Sequence, residues 1–267
     1  MRLVFLRRLL LFAGLVSLPI IPFLFLLPRL NLAPVLTDSI SYDLKLGFLA
    51  SQNASRYEVL SVGSSINLNN LHSETLLQAF PEGTTYLNLA SFNASVKNSA
   101  QLLQGIVPRY RPSTIIMMGN HVDFESSKWQ GLEAWQAERY LSGGWEPYFY
   151  LRRTNIFSLV QRLRRTRRFV SEARANMQQQ LRMDTYGGVP LQVSPENLNP
   201  YRQNSEPITE IDSTQYQALK KLCQWLKQKQ IKFIYVQSPL KKSNCQQPRC
   251  QQFHETHMLL CQKIVES

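Results

Sequence analysis

Residues 58–67, EVLSVGSSIN, join a short apolar run to a glycine and two hydroxyls, Gly63, Ser64 and Ser65. A strand that stops at such a turn can hold one serine beyond the sheet edge, with its Oγ open for nucleophilic attack on a carbonyl. An ordinary strand closed by a Gly-Ser turn has the same local sequence. What separates the two is whether other polar groups arrive at the same place. Two further apolar runs end in this way: residues 85–89, TYLNL, lead into the polar stretch 88–93, and residues 114–118, TIIMM, lead into Gly119-Asn120-His121. Donors gathered at neighbouring strand ends are what a developing oxyanion requires.

The elements that must position these groups alternate along the chain. The sequence predicts a short helix over 42–50, a strand over 59–62, a helix over 71–79 starting near Ser73, a strand over 85–89, a helix over 96–107 and a strand over 114–118. Residues 129–182 interrupt the pattern with aromatics, arginines and glutamines, as a largely helical insertion. Residues 186–210, with Pro190, Pro195, Pro200 and Pro207, read as irregular loop. The alternation resumes with a helix over 213–229, a strand over 231–236 and a last helix over 251–265. Strands separated by helices predict a mostly parallel sheet with its reactive groups at the carboxyl ends.

In order and spacing these blocks resemble the SGNH, or GDSL, hydrolase superfamily. Residues 59–65, VLSVGSS, look like its first block, in the G-S-S form of DltD-like and alginate-acetylation-like membrane-associated members. Residues 88–94, NLASFNA, are similar to the second block, residues 115–123 to the third, and residues 235–239, YVQSP, to the late strand before the catalytic histidine. The resemblance covers residue 57 to the end, apart from the arginine-rich insertion. It implies a three-layer, flavodoxin-like α/β fold with helices on both faces of the sheet.

The resemblance also implies roles. Ser65 would be the nucleophile of an esterase or acyltransferase and Asn120 a side-chain donor to the oxyanion, with no cofactor. The second block normally offers a glycine N–H where this chain has Asn93, a residue that tolerates the left-handed backbone better than most. Ser64 stands where many members carry Asp. The family ends in D-x-x-H, which supplies the base and its orienting carboxylate, and that pattern is absent from the 267 residues. On this alignment the chain stops short of its catalytic block. Three readings follow: a chain ending before its base, a substitute base in His254 or His257, or a binding relative that has lost catalysis. His121, next to Asn120, reads as a structural strand-end histidine or a pocket residue.

Residues 9–27 form a nineteen-residue run without charge, LLLFAGLVSLPIIPFLFLL, long enough for a transmembrane helix despite Pro19 and Pro22. It leads into PRLNLAP with no A-x-A pattern, so an uncleaved anchor in the lipid bilayer is expected rather than a signal peptide. Arg2, Arg7 and Arg8 before the run place the N-terminus in the cytoplasm and the main domain outside it. The expected organisation is an anchor over 1–30, a tether over 31–56 and an α/β domain over 57–267, with the insertion at about 129–210 and an incomplete C-terminus.

A net charge of +12 suggests an anionic partner, and behind a membrane span nucleic acid is not expected. The arginines between 152 and 174 suit an acidic envelope polymer, lipid headgroups or a membrane-protein partner, or simply form a solvated basic helix. Cys245 and Cys250 flank QQPR, and a disulfide there leads free thiols and a metal site as readings. Cys223 and Cys261 have no assigned partner.

Overall fold

The computed structural model describes residues 2–26, 36–37, 39–52, 54–125, 129–142, 183–189, 212–238 and 248–266. Among the described residues four strands carry the polar ends: β1 (Val59–Gly63), β2 (Tyr86–Asn88), β3 (Thr114–Gly119) and β4 (Lys232–Gln237). They form one parallel sheet in the order β2-β1-β3-β4. In this doubly wound order the crevice at the carboxyl ends of β1 and β3, where the winding reverses, is the ordinary ligand-binding position.

Consecutive strand residues point to opposite faces, and the core divides accordingly. Leu60, Val62, Leu87, Ile115, Met117, Phe233 and Tyr235 join one cluster. Val59, Tyr86, Ile116, Ile234 and Val236 join another, against Leu71, Leu76, Leu77, Phe80 and Tyr186. Burial on both faces explains the near-continuous apolar runs of β1 and β3.

The first face is covered by α2 (Ile40–Ser51), α5 (Val96–Tyr110) and α7 (Ser213–Gln228), through Tyr42, Leu46 and Leu49, then Leu102, Leu103 and Ile106, then Leu219, Leu222 and Leu226. These triplets follow the helical period. The second face is covered by the chain around α4 (Ser73–Leu77). Gly105 lets α6 (Ala134–Leu141) approach α5, since a Cβ there would lie 2.5 Å from the Ala134 carbonyl oxygen.

Residues 31–56 were expected to be a tether, but α2 belongs to the core: Leu46 and Leu49 are fully buried, and the Tyr42 ring lies tilted against Trp129 with centroids 4.9 Å apart. The short apolar spacing 42-46-49 is the signal that places it there. Two short helices were not expected: α3 (Ser65–Asn70), directly after the serine turn, and a 3-10 turn over His121–Phe124. The chain closes with α8 (Pro248–Glu266), packed on α7 and β4.

The N-terminal α1 (Arg2–Leu26) is continuous through Pro19 and Pro22. Its described apolar side chains, among them Leu9, Leu10, Leu11 and Phe12 in succession, are exposed. Among the described residues no helix is long and apolar enough to cross a membrane, and the uncharged run 9–27 reaches beyond the last described residue of α1. The arginine-rich stretch 152–174, the loop 190–210 and the Cys245–Cys250 pairing lie outside the described residues. Cys223 and Cys261 are free thiols.

Candidate active site at the carboxyl ends of the strands

Three groups singled out from the sequence follow the carboxyl ends of neighbouring strands. Gly63 pairs in register with Met118 of β3, and its carbonyl accepts the Ser91 N–H at 3.1 Å from the chain leaving β2. Ser65 and Asn120 lie two residues beyond the Gly63–Met118 pair, and Asn93 two residues beyond Ser91. Neighbouring strands stand about 4.8 Å apart, so the three residues occupy one small region at the end of β2-β1-β3.

Gly63 makes the junction possible. Its φ is +151°, and a Cβ would fall 2.4 Å from the Met118 carbonyl oxygen, so no side chain fits. Ser64 then caps α3, its hydroxyl accepting the Ile66 N–H at 3.3 Å. Ser65 is the first helical residue and is half-buried. Among the described residues its Oγ has no hydrogen bond, and its N–H is one of the amides that a helix start leaves without an internal acceptor.

Asn93 is exposed and left-handed, with φ +55°. Its carbonyl accepts the Trp129 indole N–H at 3.0 Å, while its own N–H has no acceptor among the described residues. The Phe92 N–H before it donates to Ser41 Oγ of α2 at 3.0 Å, so the segment expected to be a tether also fixes this turn.

Asn120 caps the 3-10 turn. Its Oδ1 accepts the Val122 N–H at 2.9 Å and its backbone N–H donates to Asp123 Oδ2 at 3.0 Å. With Oδ1 taken, the carboxamide orientation is set and Nδ2 is left as a donor without an internal acceptor among the described residues. Two backbone N–H groups and one carboxamide NH2 form the donor set that a tetrahedral oxyanion would use, with the serine hydroxyl as the attacking group.

Asp123 was not singled out from the sequence, although the N-x-x-D spacing of a capping box is legible at 120–123. Its carboxylate turns back over Gly119, where a Cβ would lie 2.7 Å from Oδ2. It lines a small cavity with Gly63, Ser64, Met117, Phe124 and Tyr235. Burial pushes its carboxyl up to about 6, against the opposing effect of the nearby Ser64 hydroxyl and the Asn120 N–H.

His257, the substitute base in one reading of the sequence, is placed elsewhere. It is fully buried, with Nδ1 2.6 Å from the Tyr216 hydroxyl, Nε2 3.2 Å from Gln237 Oε1, and its ring centroid 4.7 Å from that of Phe124. Both nitrogens are engaged, and burial, helped by His121 and His254, lowers its pKa to about 4. It is a core histidine and not a base available to Ser65. His121 is lowered first by burial and then by His254, and the Nδ1 atoms of both are buried without a partner. His72 caps α4 through Nδ1.

Lys45 of α2 was also missed. Its amine is buried, donates to the Asn88 carbonyl at 3.0 Å and to the Gly187 carbonyl, and is pushed down to about 7 by burial, with Asp184 acting in the other direction. Asp184 in turn accepts from Ser73 Oγ, Tyr186 N–H and Gly188 N–H, so residues 183–189 are fastened along β2. Among the described residues no group of three or more His, Cys, Asp or Glu side chains could hold a metal ion.

No protein-family model, no curated protein and no solved structure matches this chain.

Proposed function

We propose that this chain is a membrane-anchored, extracytoplasmic SGNH-like protein whose strand-end site binds the carbonyl of an acylated envelope component, with Ser65 as its nucleophile. What supports the reading is that Ser65, Asn93 and Asn120, each with an unspent hydroxyl, N–H or carboxamide donor among the described residues, follow the carboxyl ends of three neighbouring strands. In the proposed reaction Ser65 Oγ bonds to the carbonyl carbon and the carbonyl oxygen becomes an oxyanion held by the N–H and carboxamide donors. Collapse of that intermediate breaks the ester C–O bond, the serine proton reaching the departing oxygen through water, so that the alcohol leaves and an acyl-serine remains for water or an acceptor hydroxyl.

The proton of Ser65 needs an acceptor. Among the described residues no histidine or carboxylate hydrogen-bonds Ser65 Oγ, and a serine without a base is a weak nucleophile at neutral pH. Acylation by this chain is therefore slow. The anchor rests on α1, whose exposed apolar surface runs around the helix with no polar side between residues 9 and 16.

A fluorophosphonate probe tests the reading. Slow labelling that Ser65→Ala abolishes supports it, while absence of labelling in folded protein overturns the nucleophile. The lack of a base contact favours a second reading, in which the chain is a non-catalytic envelope protein that holds an anionic polymer or a membrane partner through its arginines. Binding to anionic polymer that survives Ser65→Ala, in a chain that never labels, would select it.

A further inference from the structure

The chain leaving β2 uses nearly all of its backbone amides internally. The N–H groups of Asn88, Leu89, Ser91 and Ala94 donate to backbone carbonyls, at 2.7, 2.7, 3.1 and 3.3 Å. That of Ala90 donates to Asn88 Oδ1 at 2.9 Å, and that of Phe92 to Ser41 Oγ at 3.0 Å. Among the described residues, Asn93 is thus the one residue from 88 to 94 whose N–H is unspent. Ser41 is the one side chain from outside the segment that accepts any of these amides.

Helix α2 holds this segment at both ends. Lys45, one turn beyond Ser41 and on the same side of the helix, donates its buried amine to the Asn88 carbonyl at 3.0 Å. Beside Ser41, the Tyr42 ring lies against Trp129, whose indole N–H holds the Asn93 carbonyl at 3.0 Å. The peptide that carries the Asn93 N–H therefore lies between two held peptides. Docking of α2 on the core needs only its apolar residues, Tyr42, Leu46 and Leu49. The Ser41 contact does something else: it supports a residue at φ +55°, a strained backbone that persists where its surroundings over-determine it, as at functional sites.

We propose that Ser41 is a positioning residue of the strand-end site, accepting the Phe92 N–H so that the Asn93 N–H faces the carbonyl that Ser65 attacks. That purpose rests on the nucleophile reading above, while the hold on the turn does not. Without the acceptor the Phe92 amide must find another partner, and the peptide next to it turns with it.

The test uses the full chain in detergent micelles and the near-isosteric pair Ser41→Thr and Ser41→Val, of which only threonine keeps an acceptor oxygen. Fluorophosphonate labelling of Ser65, counted per folded molecule, should stay within about twofold of wild type in Ser41→Thr and fall on the order of tenfold in Ser41→Val. A merely structural serine would move the melting temperature and leave that rate alone. Equal rates in wild type and Ser41→Val, or equal slowing in both variants, would overturn the assignment.

Should no protein label, the nucleophile reading fails alone, and amide exchange decides the hold. Phenylalanine- and asparagine-selective 15N spectra of wild type should show the Phe92 amide protected from solvent exchange and the Asn93 amide unprotected. The Asn93 signal should be displaced in Ser41→Val and unmoved in Ser41→Thr. A Phe92 amide that exchanges as fast as that of Asn93 in wild type would overturn the hold, and this measurement stands even if Ser41→Val does not fold.

Discussion

Two ends of the same sheet use polar side chains in opposite ways. At the ends of β2, β1 and β3, Ser65, Asn93 and Asn120 keep a hydroxyl, an N–H and a carboxamide NH2 without internal partners among the described residues. At the end of β4, His257 has Tyr216 on one nitrogen, Gln237 on the other and Phe124 against its ring. A satisfied buried network gives rigidity and a unique core, whereas unspent donors held at a fixed geometry are available to a ligand. The histidine is thus part of the frame, and the serine turn is the part the frame presents.

The largest expected effect attacks the frame beneath the serine. Gly63→Ala forces a Cβ into the Met118 carbonyl at a backbone angle that side chains rarely adopt, and should cost about 4 kcal/mol or more, read as loss of cooperative unfolding. Next comes the locked histidine. His257→Ala removes two hydrogen bonds and leaves Tyr216 and Gln237 facing a void, at about 3 kcal/mol in chemical denaturation, while Ser65 labelling per folded molecule stays as in wild type. A loss of labelling with the fold intact would break the comparison, because it would return His257 to the chemistry.

The two ends also titrate in opposite senses. The folded pKa of His257, about 4, is below its unfolded value, so its contribution is full above pH 6.5 and is lost as pH falls toward 4. The carboxyl of Asp123 is raised from 3.8 to about 6, so the folded state binds its proton first and gains stability as pH falls through that window. Stability curves of His257→Ala and Asp123→Asn between pH 4 and 6.5 should therefore deviate from wild type with opposite slopes.

A smaller stability effect with a large functional one is expected at Asn120. Its replacement by Ala removes a cap, at about 1 kcal/mol. Loss of the donor should slow labelling on the order of a hundredfold. Smallest is Asn67, a fully buried carboxamide next to Gly63 with neither side-chain atom partnered. Asn67→Leu should leave stability unchanged or raise it by about 1 kcal/mol in thermal melts. A clear loss would show that a bound water or ligand uses that carboxamide.

The strands were legible because a strand buried on both faces writes an unbroken apolar run, and the helices over 96–110 and 213–228 because their apolar spacing is regular. The serine turn and the two asparagines were legible as polar residues following such runs. Asp123 and Lys45 were not, because what surrounds them is distant in sequence: Asp123 shares a cavity with Gly63 and Ser64, and Lys45 donates to Gly187, 142 residues on, which no local pattern reports. His257 was misread for the same reason: HETH on a helix looks available until Tyr216, 41 residues away, is seen to hold it. Helix α3 begins at the candidate nucleophile itself and contains two consecutive asparagines, Asn69 and Asn70, poor local signals for a helix.

The account turns on whether the Ser65 hydroxyl is a nucleophile backed by waiting oxyanion donors. The most direct measurement is the rate of fluorophosphonate labelling of the full chain in detergent micelles, with Ser65→Ala and Ser64→Ala alongside. The account predicts slow labelling of the wild type, its abolition by Ser65→Ala and its retention at a reduced rate in Ser64→Ala. No labelling of folded wild type, or labelling that survives Ser65→Ala, would contradict it.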